Sequence, residues 1–181
     1  DRPDRGIYGN PDLDPEKSLN VEVGVGGNWR YFHCDAGYFF HEIEDMIQRV
    51  TLDSGDRTYE NVDGKTQIDG VEVSAGIGPF SGFSFDASAT WVDAENEDGE
   101  QQERIPEFYA KANVGYRHPT GRFGADLMTR YTGDIYERGL GAYDDVNYGD
   151  YYLVDVSAFV RFGREKEHKL TLRVENIFDK L

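Results

Sequence analysis

The chain has 181 residues, of which 38% are apolar and 14% aromatic, and 35 acidic against 19 basic side chains give it a net charge of -16. An excess of negative charge this large argues against nucleic-acid binding, because that partner requires a basic surface. The mean hydropathy of -0.67 is typical of a soluble protein, and the lack of any run of about 18 apolar residues excludes a transmembrane helix. A membrane β-barrel agrees with both observations, because its strands alternate lipid-facing with lumen-facing residues and average out as polar.

Period-two alternation of apolar and polar residues predicts eight strands. The clearest lies at residues 83–91, where apolar side chains occupy the odd positions and polar side chains the even ones. In chain order the predicted strands cover residues 18–27, 29–51, 66–78, 82–92, 107–116, 122–132, 151–163 and 168–177.

The connections between the predicted strands alternate in length. Short connections lie around Asn28 and at residues 79–81, 118–121 and 164–167, and long polar ones at residues 52–65, 93–106 and 133–150. Short turns at one end of the strands and long loops at the other are typical of outer-membrane barrels, in which the short turns are periplasmic.

Aromatic residues bracket the presumed outward face of four strands. At about 3.3 Å per residue and a tilt of about 40°, eight steps along a strand rise roughly 20 Å, close to the ~25 Å apolar band of an outer-membrane barrel. The sequence therefore predicts an all-β fold, an antiparallel up-and-down meander of about eight strands that forms part of a transmembrane β-barrel. The bracketing pairs are Phe83 with Trp91, Phe108 with Tyr116, Phe123 with Tyr131, and Tyr152 with Phe162.

The opposite face of these strands carries charges of both signs. Because buried unpaired charges are costly, such a face indicates a wet lumen or a polar plug rather than a dry core. The residues predicted to face the lumen or a plug are Asp126, Arg130, Asp155, Arg161, Arg173 and Glu175.

Four segments resemble, in order, motifs of the TonB-dependent outer-membrane receptors. Residues 9–18, GNPDLDPEKS, resemble the Asn-Pro-(Asn/Asp)-Leu-x-Pro-Glu segment that precedes a late barrel strand. Residues 38–47, YFFHEIEDMI, are similar to a strand that ends in an Asp-Leu-Ile pattern, and residues 59–61 with 70–73 resemble the Asn and Gly-x-Glu strand that follows. Residues 170–180, LTLRVENIFDK, resemble the near-terminal Asn-Leu-Phe-Asp-Lys signature.

The resemblance implies a barrel of about 22 strands with a plug domain threaded through it. Residues 1–181 are then expected to be a single segment of that barrel, eight consecutive strands just before the final one, with the plug domain and the final strand absent. The implied location is the outer membrane of a Gram-negative cell, in contact with its lipid and lipopolysaccharide.

The implied function is active import of a ferric siderophore or a similar scarce nutrient. Extracellular loops capture the ligand, the plug gates it, and the TonB-ExbB-ExbD complex supplies energy through the absent N-terminal part. The loop after residue 132 combines stacking area, hydroxyls and positive charge, a mixture suited to gripping a siderophore-like ligand. The candidate ligand-binding residues there are Tyr136, Arg138, Tyr143 and Tyr148; the alternative for this loop is a flexible segment with girdle tyrosines.

Two other functions stay open on the sequence. Eight strands are enough to close as a small passive or structural outer-membrane barrel, and a soluble all-β binding module is the third interpretation. We predict no enzyme activity, cofactor or metal site, because the sequence shows no Ser-His-Asp set or glycine-rich phosphate loop at usable spacing and its four histidines lie far apart.

Overall fold

The computed structural model describes residue 2 and residues 6–96, 99–137, 139 and 145–179. None of these residues belongs to a helix long and apolar enough to cross a membrane. The described strands are β1 (Lys17–Asn28), β2 (Phe32–Glu44), β3 (Ile47–Thr51), β4 (Arg57–Asn61), β5 (Lys65–Phe80), β6 (Phe83–Glu95), β7 (Phe108–Arg117), β8 (Phe123–Thr132), β9 (Tyr136–Glu137), β10 (Val146–Asn147), β11 (Tyr151–Phe162) and β12 (His168–Val174).

The long strands form one eight-stranded sheet in the order β1-β2-β5-β6-β7-β8-β11-β12. Each strand pairs with the next long strand along the chain, which is the predicted antiparallel meander. The short strands make two separate hairpins, β3 with β4 and β9 with β10. Strands β1 and β12 stand at the two ends of the order, so the strands that the structure describes do not pair into a closed eight-strand ring.

The prediction of one strand over residues 29–51 was wrong. Strand β2 ends at Glu44, and Asp45 adopts a left-handed backbone conformation with φ of 57°, which breaks the extended run before β3 begins at Ile47. Aspartate tolerates this conformation better than most residues do. The predicted loop at residues 52–65 therefore contains part of a hairpin, and the predicted loop at 133–150 contains β9 and β10.

The chain divides into two compact units, the first comprising Asp1–Glu22, Phe39–Asp69 and Asp93–Gln102. Within it, the Asn-Pro segment runs along β4 and is held there by side-chain amides. Asn10 donates to the carbonyl of Tyr59 at 2.9 Å, while Asn61 accepts from the Asp14 N–H at 2.8 Å and donates to the Asp14 carbonyl at 2.9 Å. Asn61 therefore gives the backbone of the irregular segment the partners that a strand would otherwise supply, and Asn10 fastens the segment to the backbone of β4.

The second unit comprises Val23–Tyr38, Gly70–Val92 and Glu103–Leu181. The register between β6, β7, β8, β11 and β12 places the aromatic brackets opposite each other, Phe83 against Tyr116 and Trp91 against Phe108, with ring centroids 4.7 and 4.9 Å apart. The apolar face is exposed: Phe83 keeps 55% and Leu172 69% of its accessible surface. A soluble sandwich would bury such a face against a second sheet, whereas a lipid-facing surface is exposed in the isolated chain.

Candidate functional site

The loop between β8 and β11 contains the predicted ligand-binding residues, of which Arg138 and Tyr143 lie outside the described residues. Tyr136 begins β9, and its hydroxyl donates to the Asp145 carboxylate at 2.7 Å. The Tyr148 hydroxyl donates to the Glu137 carboxylate at 2.9 Å. Both described tyrosines are therefore positioned by acidic side chains of their own loop.

Arg104, which the sequence did not single out, joins this hairpin to the preceding long loop. Its guanidinium donates to the other carboxylate oxygen of Glu137, and its backbone N–H donates to the Tyr136 carbonyl at 2.9 Å. Two hydrogen bonds hold the pKa of Glu137 below its usual value, and the one from Arg104 contributes more than the one from Tyr148. The hydrogen bond between Tyr148 and Glu137 also raises the pKa of Tyr148. Glu137 is thus the common anchor of two loops at the long-loop end of the sheet.

Replacing Glu137 by glutamine is expected to loosen the β9–β10 hairpin and to remove its response to acid. The folded-state pKa of Glu137 is lowered, so its stabilising contribution is complete above the unfolded pKa of about 4.3 and is lost as the pH falls through the folded pKa. Hydrogen exchange at the Tyr148 and Arg104 amides, corrected for the intrinsic rate, should show this acid step in the wild type and none in the variant. Glu103→Gln is the control, and an unchanged step in Glu137→Gln would contradict the prediction.

The six residues predicted to face a lumen or plug lie on the polar face of the second unit, and the structure brings four of them together. Asp155 accepts from Arg130 at 2.9 Å and lies 3.6 Å from Arg173, which pairs with Glu175 at 2.9 Å. Asp155 is only 4% exposed, and its second oxygen accepts the backbone N–H of Asn176 at 2.9 Å. This cluster therefore anchors the turn that ends β12.

The other two predicted residues lie apart from that cluster. Asp126 receives two hydrogen bonds from Arg117, at 2.8 and 2.9 Å. Arg161 lies against the ring of Phe159, 5.7 Å from its centroid, where Arg117 and Lys169 also approach. The sequence missed the roles of Arg117 and Phe159 because alternation shows which face a residue occupies and not which partner it meets.

His33 and Asp86 form a further cross-strand pair on this polar face, with Nε2 and Oδ1 3.6 Å apart. Gly76 makes the pair possible, because a Cβ there would overlap the His33 ring and come within 2.5 Å of the Asp86 carboxylate. Within the described ranges, no group of three or more His, Cys, Asp or Glu side chains is arranged to hold a metal ion.

Comparisons with known proteins identify the family. The family model described as TonB dependent receptor-like, beta-barrel, matches residues 2–177. The vitamin B12 transporter BtuB of Vibrio vulnificus (strain YJ016) is 30% identical over 175 residues, which are 95% of this chain and 27% of that protein.

Solved structures agree in fold. The FrpB iron transporter from Neisseria meningitidis (F3-3 variant) has a TM-score of 0.77 at 19% identity, covering 96% of this chain and 29% of its own. The siderophore receptor PirA from Acinetobacter baumannii has a TM-score of 0.76 at 19% identity, with the same two coverages of 96% and 29%. The chain spans little more than a quarter of the curated relatives that it matches, 27% and 28% of their lengths. It belongs to the TonB-dependent receptor-like β-barrel family, whose members are outer-membrane β-barrel proteins.

Proposed function

We propose that the protein containing this chain is an outer-membrane receptor that imports a ferric siderophore or a similarly scarce nutrient. Family membership and the names of its relatives, which are transporters and receptors, support import and give no support to enzyme activity. Energy would come from the TonB-ExbB-ExbD complex, engaged through parts of the receptor other than this chain.

The observation that carries the proposal is the hairpin of β9 and β10. Carboxylates of Glu137 and Asp145 fix the two phenol hydroxyls, and Tyr148 keeps 63% of its surface exposed. A tyrosine that is fixed at its hydroxyl presents its ring without further ordering, which suits stacking against a planar group of a ligand. Arg104 neutralises Glu137, so an anionic ligand meets less repulsion at this position than the net charge of the chain suggests.

A second ligand follows from a different observation. The relative that is 30% identical is named as a vitamin B12 transporter, and the corrin ring of that vitamin offers a large, roughly planar group. Cobalamin is therefore the second candidate substrate, and one uptake experiment separates the two.

Uptake by the full-length receptor is the test of the proposed import function. It should be expressed in Gram-negative cells that lack their own siderophore and cobalamin receptors, with radiolabelled iron-siderophore complexes and labelled cobalamin supplied separately. Saturable uptake that needs TonB supports the proposal and names the ligand. Outer-membrane insertion without uptake of any supplied nutrient would leave a passive or structural barrel as the better account.

The role of the loop is tested by Tyr136→Ala with Tyr148→Ala. The double variant is expected to bind the imported ligand roughly tenfold more weakly, the factor that about 1.4 kcal/mol of lost stacking represents. Tyr8→Ala is the matched control, since Tyr8 is 44% exposed and belongs to the other unit. Unchanged ligand affinity in the double variant would remove the loop from the binding site and leave import itself standing.

A further inference from the structure

We propose that Arg161 and Lys169, held against the ring of Phe159, form a binding site for an oxyanion, either a carboxylate or a phosphate. The site lies on the polar face of the second unit near the short turn that joins β11 to β12. It is separate from the hairpin of β9 and β10, and it does not depend on the proposed transport function.

Two like charges face each other directly at this position. Arg161 and Lys169 are cross-strand partners in the register of β11 and β12, and both are exposed. Their heads share one ring, with the Arg161 guanidinium carbon 5.7 Å and the Lys169 ammonium 4.9 Å from the Phe159 centroid. Like charges on directly opposed strand residues destabilise a sheet, so this arrangement has a cost unless an anion lies between them.

Acidic side chains are numerous in the chain, yet none of those that the structure describes neutralises this pair. It carries 35 acidic against 19 basic side chains, yet neither Arg161 nor Lys169 forms an ion pair anywhere in the described part of the chain. The neighbouring cation Arg117 is different: it is held by both carboxylate oxygens of Asp126 and by the carbonyls of Tyr116 and Ala125. Of the three cations around the ring, two are therefore left without a counter-charge.

The ring that carries the cations is itself positioned by a close approach of the backbone. A Cβ on Gly124 would lie 2.7 Å from the Phe159 ring and 2.9 Å from the Arg117 stem. Because glycine leaves that space open, Phe159 lies across β8 beside Arg117, which is fixed by Asp126. The result is an aromatic floor with Arg117, which Asp126 neutralises, at its edge. Over it lie two cations that have no ion-pair partner among the described residues, and cations over an aromatic face are attracted to its ring electrons.

An oxyanion is the ligand class that matches this donor set. An arginine offers paired N–H donors and a lysine offers three, and neither is an acceptor, so an acceptor-only group of negative charge satisfies both. Carboxylates and phosphates share this chemistry. A carboxylate carried by another polypeptide segment and a free phosphate are the two sources, and the experiment distinguishes them.

The test measures whether removing the two charges raises or lowers the thermal stability of the full-length receptor in detergent. The thermal midpoint is read from the heat-modifiable shift in electrophoretic mobility, for the wild type and for Arg161→Gln with Lys169→Gln, in phosphate and in chloride at equal ionic strength. Neutralisation relieves the repulsion between the two cations, but it also removes their attraction to the Phe159 ring. Phe159→Leu removes that attraction and keeps both charges, so without a bound anion the glutamine variant should lose no more stability than Phe159→Leu. With a bound anion, the glutamine variant should lose more stability than Phe159→Leu.

The two salts separate the sources. A wild-type midpoint that rises in phosphate, with the rise abolished in the variant, indicates a free phosphate. A midpoint that is the same in both salts, and that falls further in the glutamine variant than in Phe159→Leu, indicates a carboxylate supplied by the polypeptide. A glutamine variant that loses no more stability than Phe159→Leu in both salts would overturn the proposal.

Two control variants isolate the charge effect. Arg161→Lys with Lys169→Arg keeps both charges on the ring and is expected to resemble the wild type; an equal loss of stability there would mean that packing on Phe159, and not anion binding, causes the effect. Arg122→Gln with Arg164→Gln removes two charges from the neighbouring turns and should leave the phosphate response unchanged. A phosphate response that disappears in this second control would also contradict the assignment.

Discussion

Replacing Leu127 by arginine is expected to lower the free energy of unfolding of the membrane-inserted receptor by about 2 to 4 kcal/mol. Leu127 lies at the middle of β8 on the apolar face, between Val114 of β7 and Val156 of β11, and 47% of its surface is exposed. The side chains two positions away along the strand, Ala125 and Thr129, carry no charge that would pair with a guanidinium. The measurement is urea unfolding of the full-length protein in lipid vesicles, followed by heat-modifiable mobility.

Met128→Arg is the matched control for this prediction. Met128 is the next residue along β8 and faces the opposite side of the sheet, where its register partners are Asn113 and Asp155. An arginine at position 128 would lie opposite the amide of Asn113 and the carboxylate of Asp155, so we expect a much smaller loss of stability. Equal losses in the two variants would contradict the assignment of the apolar face to lipid.

The strands of the sheet were predictable because the alternation of apolar and polar residues lies within each strand's own sequence. Alternation placed Phe83, Trp91, Leu127 and Val156 on one face, and the pairing of β6, β7, β8 and β11 keeps them there. A one-residue slip in register would turn the whole apolar set of a strand to the polar side, so the pattern itself constrains the pairing.

The breaks within the predicted elements were not predictable in the same way. Residues 38–51 continue a strand-like sequence, and the interruption at Asp45 depends on partners distant in sequence. The Asp45 carbonyl accepts from Asn61 at 2.6 Å, and its carboxylate pairs with Lys17 at 2.7 Å. Alternation contains no information about such contacts, which also explains why it predicts a loop over part of the hairpin of β3 and β4.

On the polar face, too, the sequence does not predict which side chains contact each other. The sequence predicts that Arg130, Asp155, Arg173 and Glu175 lie on the charged face of the sheet, but it does not show that one carboxylate joins two arginines and a backbone N–H. Arg130, Asp155 and Arg173 come from three strands and Glu175 follows the last of them, so their contacts depend on the register of β8, β11 and β12 together. The loop residues Tyr136 and Tyr148 are positioned by Glu137 and Asp145 for a similar reason, and their role in ligand binding stays a prediction.

The contacts of Asp155 explain the structure of the motif at residues 170–180. Asn176 adopts a left-handed backbone with φ of 48°, its N–H is bound by Asp155, and its carbonyl accepts from the Asp179 N–H at 2.9 Å. Ile177 N–H donates to the Val154 carbonyl at 2.9 Å, and the Phe178 ring meets Tyr152 edge-on at 6.4 Å. The motif is therefore a turn that stops β12 and folds back onto β11, with Asp155 as its attachment point.

Asp155→Ala is accordingly expected to lower the free energy of unfolding by about 2 kcal/mol. The variant loses the acceptor for Arg130 and for the Asn176 N–H. Because the Arg130 and Arg173 side chains remain 43% and 56% exposed, water takes up part of their charge, so the loss stays below the roughly 3 to 5 kcal/mol of a fully buried pair. Hydrogen exchange at the Asn176 and Ile177 amides should rise more than at any amide of β7.

Two further substitutions decide whether the loss of stability comes from the missing hydrogen bond to the Asn176 N–H or from the missing negative charge. Asp155→Asn keeps an oxygen for the Asn176 N–H and removes only the charge, so it should cost about half as much and leave the turn protected. Asp86→Ala removes a carboxylate of the same face whose side chain is 50% exposed and whose Oδ1 lies 3.6 Å from His33 Nε2; an exposed contact of this kind contributes at most about 1 kcal/mol. If Asp86→Ala destabilises the protein as much as Asp155→Ala, Asp155 is not the attachment point of the turn, and a general loss of negative charge explains both results.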